Sequence, residues 1–318
     1  MKSLLESLAG RRVLVVGDLM LDQYTWGDAS RISPEAPVPV VDVSRETHVA
    51  GGAANVALNL RSLAADAEVC GWVGRDAAGE TLVGLLADAG IGLDPGFQSE
   101  GRTTIMKTRV MVRNQQLCRL DREDDPTGYA FGAEDVAKVV ERAAGADAVI
   151  FSDYGKGTLD AELIAALAET GPVLAMDPKP RRRIAHPGLD LLTPNRSEAL
   201  QMAGLELARG EPFPEEEVCQ RIYETYQPAN LVVTLGGEGM LVSRNGEVSL
   251  KIPTTAREVF DVSGAGDTVV AALTLALAAG ADIEKAARFA NLAAGIVVGK
   301  VGTATVTPRE LLALGESL

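Results

Sequence analysis

Short apolar runs alternate with longer Ala- and Leu-rich stretches along most of this chain. Gly or Asp follows most of the runs within two residues, and the longer stretches carry apolar residues at helical spacing. This alternation is typical of βαβ units and predicts an α/β fold, with a mostly parallel central sheet covered by helices on both faces. The predicted strands are Val13–Val16, Ala148–Phe151, Val173–Met176, Leu189–Thr193 and Leu231–Thr234, and the predicted helices are Ala54–Leu63, Ala78–Ala89, Ala133–Ala143, Asp160–Glu169, Glu215–Tyr226, Gly266–Ala279 and Ile283–Val298.

Two segments break this alternation and predict a small separate β-sheet, which we call the lid. The first segment, about residues 22–46, carries several prolines among short extended pieces. The second, about residues 100–123, predicts two strands joined by a turn near Arg113-Asn114-Gln115. Strand geometry gives the first of these strands a cationic face with Ile105, Lys107, Arg109, Met111 and Arg113, and an apolar face with Met106, Thr108, Val110 and Val112.

Charge changes this picture, because the lid and the rest of the chain differ in sign. The 318 residues include 44 Asp and Glu against 30 Lys and Arg, which gives a formal charge of −14. We therefore expect neither nucleic acid nor an anionic membrane as a general partner. Residues 102–122, in contrast, carry six basic residues and one acid. This patch is either a solvated strand face or a cationic surface that meets an anionic substrate.

Cysteine usage and the length of apolar runs predict a cytoplasmic protein. Cys70, Cys118 and Cys219 are odd in number and widely spaced, which favours reduced thiols over a disulfide framework. The longest nearly apolar run has 14 residues, whereas a membrane-spanning helix needs about 20. The first residues do not have the pattern of a signal peptide.

The segment Asp261-Val-Ser-Gly-Ala-Gly-Asp267, directly before a long predicted helix, is the strongest local signal for chemistry. Gly264, Ala265 and Gly266 can present peptide N–H groups at a helix N-terminus, where an anion of phosphate size is favoured. Asp267 then lies in the first helical turn and is a candidate general base toward a hydroxyl group. The alternative is an aspartate that only caps the helix.

A second set of polar residues lies near the N-terminal end of the chain and suits the hydroxyl groups of a sugar. Asp18 ends the first strand and Asp22 follows it. The glycine pair Gly51-Gly52 permits close backbone approach, and Asn55 presents an amide in the helix behind it. The alternative for the glycine pair is ordinary turn chemistry.

Nucleotide-binding candidates follow two later strands. Asn195 and Glu198 flank Arg196 and Ser197 and fall on one helical face, where they could bind a hydrated Mg²⁺ that carries phosphates. A capping role is the alternative for Asn195. Lys156 and a basic cluster at Lys179 with Arg181–Arg183 are further phosphate candidates, each weak alone.

Other phosphate-binding patterns do not occur in the sequence. There is no G-x-x-x-x-G-K-[ST], no G-x-G-x-x-G after the first strand and no H-R-D loop. These absences argue against P-loop enzymes, Rossmann dehydrogenases and protein kinases.

Taken in order, these motifs resemble the ribokinase (PfkB) family of sugar kinases over about residues 12–313. The matching segments are Gly51-Gly52 with Asn55, the N-x-x-E of Asn195 to Glu198, Thr234-Leu235-Gly236-Gly237-Glu238-Gly239 and Asp261 to Asp267. The resemblance implies a ribokinase-like fold in one kinase domain over residues 1–318. Within the family, residues 30–40 and 113–121 look like those of heptose 7-phosphate kinases.

The resemblance also assigns roles. It implies ATP-dependent phosphorylation of the anomeric hydroxyl of D-glycero-β-D-manno-heptose 7-phosphate, a step toward ADP-heptose and the lipopolysaccharide core. Asp267 would be the base, and the N–H groups of residues 264–266 would form the anion hole. The N-x-x-E motif would serve ATP and Mg²⁺, with Glu198 an indirect metal ligand. Thr234, Gly236, Gly237 and Asn291 would contact the nucleotide, and Asp18, Asp22, Gly51, Gly52, Asn55, Lys107, Arg109 and Lys156 the sugar phosphate.

Several points stay open at the level of sequence. Related kinases use a monovalent cation near the Asp261 loop, and their lids pair between two subunits. The resemblance therefore implies a cation site and a homodimer through the lid. Many bacterial versions carry a nucleotidyltransferase with an H-x-G-H motif, which this sequence does not contain, so we expect the kinase step only. The alternatives are a kinase for another sugar or sugar phosphate, an oxidoreductase with a Rossmann-like site, and a catalytically silent sugar-binding regulator.

Overall fold

The computed structural model describes residues 1–113, 115–180, 184, 188–208, 210–256, 258–300 and 302–315. Asn114 in the predicted turn and Arg181–Arg183 of the second basic cluster lie outside the described residues. The helices are α1 Lys2–Leu8, α2 Ala53–Ser62, α3 Ala77–Asp88, α4 Ala133–Ala143, α5 Ala161–Ala168, α6 Arg196–Ala203, α7 Glu215–Tyr226, α8 Ala265–Ala278, α9 Ile283–Val297 and α10 Pro308–Gly315. The strands are β1 Arg12–Gly17, β2 Leu19–Ile32, β3 Pro39–Gly52, β4 Asp66–Cys70, β5 Val73–Gly74, β6 Gly92–Leu93, β7 Gln98–Ser99, β8 Ile105–Val112, β9 Gln115–Arg122, β10 Ala148–Ser152, β11 Val173–Asp177, β12 Leu191–Leu192, β13 Asn230–Thr234, β14 Met240–Arg244 and β15 Glu247–Ile252.

The central sheet confirms the predicted α/β architecture. Its strand order is β15-β14-β13-β12-β11-β10-β1-β4-β6, and the strands from β13 to β6 are parallel to their neighbours. The sequence analysis did not predict the edge formed by β14 and β15, which is antiparallel. Successive residues of β1 enter different layers, because Val13 and Val15 pack in one core and Leu14 and Val16 in the other. Both faces of the sheet are therefore buried.

The lid is a four-stranded sheet, separate from the central sheet, with the strand order β3-β2-β8-β9. The predicted strands over residues 102–123 are confirmed as β8 and β9, an antiparallel pair. The expectation of short extended pieces over residues 22–46 was wrong, because β2 and β3 are 14-residue strands that pair along nearly their whole length. The prolines fit this ribbon: Pro34 and Pro37 lie in the connection, and Pro39 is the first residue of β3.

The carboxyl ends of the parallel strands bring the polar motifs to one edge of the central sheet, as expected for an open α/β sheet. Asp18 follows β1, Asp153 follows β10, and Asp177 ends β11. Thr234 ends β13, and Asn195 precedes α6. The described helices include none that is long and apolar enough to cross a lipid bilayer. All three cysteines are free thiols, with Cys118 exposed and the other two buried.

Candidate active site

Two neighbouring cavities open at this edge of the sheet, beside the first turn of α8. The larger has a volume of about 420 Å³ and lies between the loop after β13 and helices α8 and α9. The smaller, about 200 Å³, lies over the ends of β10, β11 and β12. Thr234 and Gly266 line both cavities. One elongated molecule can therefore occupy both.

Asp267 lines the smaller cavity from the first turn of α8 and is 6% exposed. Asn55 Nδ2 donates a hydrogen bond to its Oδ2 at 2.6 Å. The hydroxyl of Tyr154 donates to its Oδ1, also at 2.6 Å. The two donors come from α2 and from the loop after β10, so the fold fixes this carboxylate from two sides.

Burial raises the pKa of Asp267 to about 6, and this effect outweighs the hydrogen bonds from Tyr154 and Asn55, which lower it. A carboxylate with such a pKa is ionised at pH 7 and can still accept a proton, which is the property of a general base. The carboxylate of Asp267 thus has the properties of a general base, and its catalytic role stays a prediction.

The turn before α8 depends on glycine. Gly264 has φ +78°, and a Cβ at this position would lie 2.8 Å from Asn55 Nδ2. Only a residue without a side chain fits there without strain or a clash with Asn55. Gly266 is exposed at the mouth of the cavities, whereas the N–H of Ala265 donates to the carbonyl of Val262 at 3.2 Å.

Asp18 is buried and binds a backbone loop. Its carboxylate accepts hydrogen bonds from the backbone N–H groups of Tyr154, Lys156 and Thr158 at 2.8, 3.1 and 3.3 Å. It therefore holds the loop that carries Tyr154. A role toward substrate, predicted from the sequence, stays a prediction.

Gly51 and Gly52 are the last residues of β3 before α2, and they allow close packing against Asp18 and Asp22. A Cβ on Gly51 would lie 2.6 Å from Asp22 Oδ2, and one on Gly52 would meet the carbonyl oxygen of Asp18. Gly52 also has φ +58°. Close approach of Asp18 and Asp22 to α2 therefore requires both glycines.

The three cations predicted to contact the sugar phosphate differ in their contacts. Arg109 Nη1 donates to Asp22 Oδ1 at 2.6 Å, and both side chains are largely buried. Lys156 forms an ion pair with Glu123. Lys107 Nζ lies 5.4 Å from the ring centroid of Tyr154, and burial lowers the pKa of its ammonium. Among the described residues, Lys107 has no carboxylate within ion-pair distance.

The N-x-x-E motif forms a capping box. Asn195 Oδ1 accepts from the backbone N–H groups of Ser197 and Glu198, both at 3.0 Å, and Glu198 Oε2 accepts from the N–H of Asn195 at 2.9 Å. Arg196 forms an ion pair with Glu238. The capping alternative for Asn195 is therefore observed, and it leaves the residue exposed at the rim of the smaller cavity.

Lys179 is a residue that the sequence analysis left as weak evidence, and the structure brings it to the site. Its Nζ donates to Glu198 Oε1 at 2.8 Å. It is the one cationic side chain among the described residues that line the smaller cavity. Four acidic residues line the same cavity: Asp153, Asp177, Glu198 and Asp267. Burial raises the pKa of Asp177 well above its usual value, and the negative charges of Asp267 and Glu198 raise it further. An anionic ligand in this cavity needs added positive charge.

Tyr154, Asp177 and Lys179 share a signal that sequence analysis could have used. Each lies within two residues of the carboxyl end of β10 or β11, where ligands bind in open α/β sheets. The sequence analysis named only Lys156 from the loop after β10, whereas the structure brings Tyr154 of the same loop to Asp267.

The larger cavity is lined mainly by apolar side chains and glycines. Thr234, Gly236, Gly237 and Asn291 all line it, together with Val259, Val262 and Val298. The Asn291 side chain donates to the carbonyl of Pro253 at 2.9 Å, so it also braces the wall. A flat heterocycle suits a cavity of this volume and lining.

No group of three or more His, Cys, Asp or Glu residues in the described part of the chain forms a direct metal site. The exposed Asn195 amide and the Glu198 carboxylate do fit a hydrated Mg²⁺ held through water, because that ion keeps several of its waters in proteins.

The Asp261 loop partly fits a monovalent cation. Asp261 already accepts from the N–H groups of Ser263 and Gly302, which lower the pKa of its carboxyl although burial raises it. Nearby, the buried Thr303 hydroxyl has no hydrogen-bond partner among the residues that the structure describes, so its oxygen is available as a ligand.

The fold and this site together define a sugar kinase of the ribokinase-like class, and comparisons with known proteins agree. Residues 11–310 match the description "pfkB family carbohydrate kinase". The chain belongs to this family, which excludes the Rossmann-like oxidoreductase. The solved structures it resembles include ribokinase from Arabidopsis thaliana complexed with ribose and ATP, with a TM-score of 0.74, 21% identity and coverage of 96% of this chain and 98% of the other. They also include phosphofructokinase-2 from Escherichia coli in complex with potassium. For this structure the TM-score is 0.77 and the identity is 21%, and the match covers 97% of this chain and 99% of the other.

Relatives in sequence are named "Bifunctional protein HldE". The protein from Desulfatibacillum aliphaticivorans is 44% identical over 310 residues, which cover 95% of this chain and 62% of the relative. Those from Geobacter metallireducens and Pseudomonas paraeruginosa are 45% and 46% identical, and each match covers 94% of this chain and 62% of the relative. The chain thus spans less than two thirds of the length of these relatives.

Proposed function

We propose that this chain transfers the γ-phosphoryl group of ATP to the anomeric O1 of D-glycero-β-D-manno-heptose 7-phosphate, which gives the 1,7-bisphosphate on the route to ADP-heptose and the lipopolysaccharide core. The observation that carries the proposal is Asp267, a buried carboxylate with a raised pKa beside a cavity that continues into the larger one. The heptose is supported by the resemblance of residues 30–40 and 113–121 and by the identity to the bifunctional relatives.

In this mechanism Asp267 accepts the proton of the sugar hydroxyl as that oxygen attacks the γ-phosphorus in line. The N–H groups of the turn at residues 264–266 would stabilise the charge that develops on the transferred group. Gly266 is the most exposed of the three residues, whereas the N–H of Ala265 would first have to leave the carbonyl of Val262. Since phosphoryl transfer depends mainly on positioning and charge neutralisation, a fixed base and a preformed turn supply what the reaction needs.

The nucleotide lies across the two cavities in this proposal. Its base occupies the larger cavity beside Asn291, Gly236 and Gly237, and its phosphates reach the smaller one past Thr234. Lys179 exchanges its ion pair with Glu198 for one with the phosphates, because it is the one cation among the described residues that line the smaller cavity. Mg²⁺, held through water by Asn195 and Glu198, would neutralise phosphate charge.

The sugar phosphate lies between the smaller cavity and the lid. Asp18, Asp22 and Asn55, which are buried next to the glycine pair, would bind the hydroxyl groups of the sugar. Lys107, Arg109 and Lys156 are the candidates for the 7-phosphate. Lys107 is the strongest of them, because Arg109 and Lys156 are already paired with carboxylates.

We also propose a bound cation, a subunit interface and a cellular location for the enzyme. A monovalent cation binds near Asp261 and Thr303. Two subunits pair through their lids, where Leu117 and Leu120 of β9 are exposed. A cytoplasmic location, predicted from the sequence, suits an enzyme that consumes ATP.

An assay of ADP release tests the substrate directly. The chain should show its highest kcat/KM with heptose 7-phosphate, compared with ribose, fructose 1-phosphate and fructose 6-phosphate. Preference for one of the other acceptors would favour the second candidate, a pfkB kinase for another sugar. ATP binding without turnover on any acceptor would favour the silent regulator and overturn the proposal.

A further inference from the structure

Tyr154 is a titratable side chain at the site that the proposed mechanism does not use. Its hydroxyl donates to Asp267 Oδ1 at 2.6 Å, and its backbone N–H donates to Asp18 Oδ2 at 2.8 Å. Burial, with Asp267 and Asp177 nearby, raises its pKa well above the usual value, so the phenol keeps its proton and acts as a donor. Two hydrogen bonds therefore fix Tyr154 against the base.

The ring of Tyr154 also has a neighbour from the lid sheet. Lys107 Nζ, from strand β8 of the lid sheet, lies 5.4 Å from the ring centroid. This separation is within the range of a cation–π contact. Tyr154 thus contacts the lid through its ring and the base through its hydroxyl.

We propose that Tyr154 is a positioning residue that orients the Asp267 carboxylate, keeps it ionised, and connects it to the lid through Lys107. The inference rests on the proposed function, in which Asp267 is the base. Tyr154 donates to Oδ1 and Asn55 donates to Oδ2, so both oxygens of the carboxylate are held in place, and each keeps a lone pair to accept a proton. The lid thus influences the Asp267 carboxylate indirectly, because Lys107 contacts the ring of Tyr154 and the hydroxyl of Tyr154 contacts Asp267.

The groups around Asp267 define the expected pH dependence. Burial raises its pKa most, Asp22 of β2 raises it further, and Lys107 of β8 lowers it. The hydrogen bonds from Tyr154 and from Asn55 of α2 also lower it. Asp177 of β11 faces Tyr154 and Asp267 from the floor of the cavity. Removal of the Tyr154 hydroxyl takes away a donor to the ionised form, and the base then needs a higher pH to lose its proton.

The test is the pH profile of kcat/KM for Tyr154→Phe, which keeps the ring and its contact with Lys107. The acidic limb of the wild-type profile should lie near pH 6, and the variant should move it up by about one pH unit. Well above that limb, turnover should fall by only about tenfold or less. An equal loss at every pH would mean a structural role only, and an unchanged profile would exclude any role.

Tyr129→Phe is the matched control. Tyr129 is also buried, and its hydroxyl donates to the carbonyl of Thr103 at 2.8 Å, but it lines neither cavity. This variant should keep the acidic limb of the wild type. A limb that moves equally in both variants would show that a general loss of stability, not Tyr154, is responsible.

A double-mutant cycle tests the link to the lid. Lys107→Met should raise the acidic limb in the wild-type background and raise it less in the Tyr154→Phe background, because the two residues act on Asp267 together. Equal shifts in both backgrounds would show that Lys107 acts by its charge alone, and the link would be refuted.

A measurement without substrate separates this inference from the proposed function. Carbon-13 carboxyl NMR, with Asp267→Asn to assign the signal, reports the titration of Asp267 directly. A higher midpoint in Tyr154→Phe supports the positioning role even if heptose 7-phosphate is not the substrate. The same midpoint in both proteins overturns that role even if the heptose is phosphorylated.

Discussion

At the scale of single residues, the burial of Asp267 affects both the acidity of its carboxyl group and the stability of the folded protein. Removal from water makes its ionised form less favourable, so the pKa rises to about 6 although two donors oppose the change. The sequence placed the aspartate in the first turn of a helix, and from there it could equally have capped the helix. The structure shows instead that its carboxylate accepts hydrogen bonds from Asn55 and Tyr154, which are far away in sequence.

We expect Asp267→Asn to lower kcat by about 100-fold or more, because a positioned proton acceptor is removed. The affinity for ATP, measured by calorimetry, should change little. Asp282→Asn is the control, since Asp282 caps α9 with an exposed side chain and lies in neither cavity. Turnover of Asp267→Asn near the wild-type value would show that another group is the base.

The same substitution should also change how stability depends on pH. Because the folded-state pKa of Asp267 lies above the unfolded value, the folded protein binds the extra proton between about pH 4 and 6, and ionisation of Asp267 destabilises the fold above that range. The free energy of unfolding of Asp267→Asn relative to wild type should therefore rise with pH, by about 3 kcal/mol at most between pH 4 and 7. Urea titrations across this range measure the difference, and a constant difference would refute the raised pKa.

At the scale of elements, the sequence predicted helices better than the lid. The predicted bounds of α8, for example, differ from the observed Ala265–Ala278 by one residue at each end, because its apolar pattern and glycine boundary are local. The length of β2 and β3 depends on pairing with each other and, for β2, with β8, which lies about 80 residues away in sequence. Lys179 was undervalued for the same reason, since its contact with Glu198 arises only when β11 and β12 lie side by side.

Helix α6 leads to a prediction that separates capping from nucleotide binding. Asn195→Ala should lower the free energy of unfolding by about 1 kcal/mol, the usual effect of losing an N-cap, and should also raise the KM for ATP. Asp160→Ala removes the matched cap of α5, where the side chain accepts from the N–H of Leu163 at 2.8 Å, away from both cavities. This control should lose similar stability and keep the KM for ATP. An equal KM in both variants would leave Asn195 with a capping role only.

At the scale of the whole molecule, charge is divided between the lid and the body. Residues 102–122 carry a net charge of +5, so the remainder of the chain carries −19. The structure refines the sequence interpretation of this patch, because some of its cations balance local carboxylates: Arg113 pairs with Asp28, and Arg119 with Asp121. Lys107 and Arg109, half-buried beside Tyr154 and Asp22, face the core instead. Fewer cations of this patch face the core than the sequence analysis indicated.

This division predicts how the lid discriminates between the two phosphate-bearing substrates. Arg109→Ala and Lys107→Met should each raise the KM for the phosphorylated heptose about tenfold or more, the effect of losing one charged hydrogen bond, and leave the KM for ATP nearly unchanged. Arg113→Ala is the control, because this exposed lid cation lies beyond the core and pairs at the surface. Steady-state kinetics with each substrate varied in turn measure the split. Equal increases in both KM values would show that the lid cations support the fold of the site rather than contact the 7-phosphate.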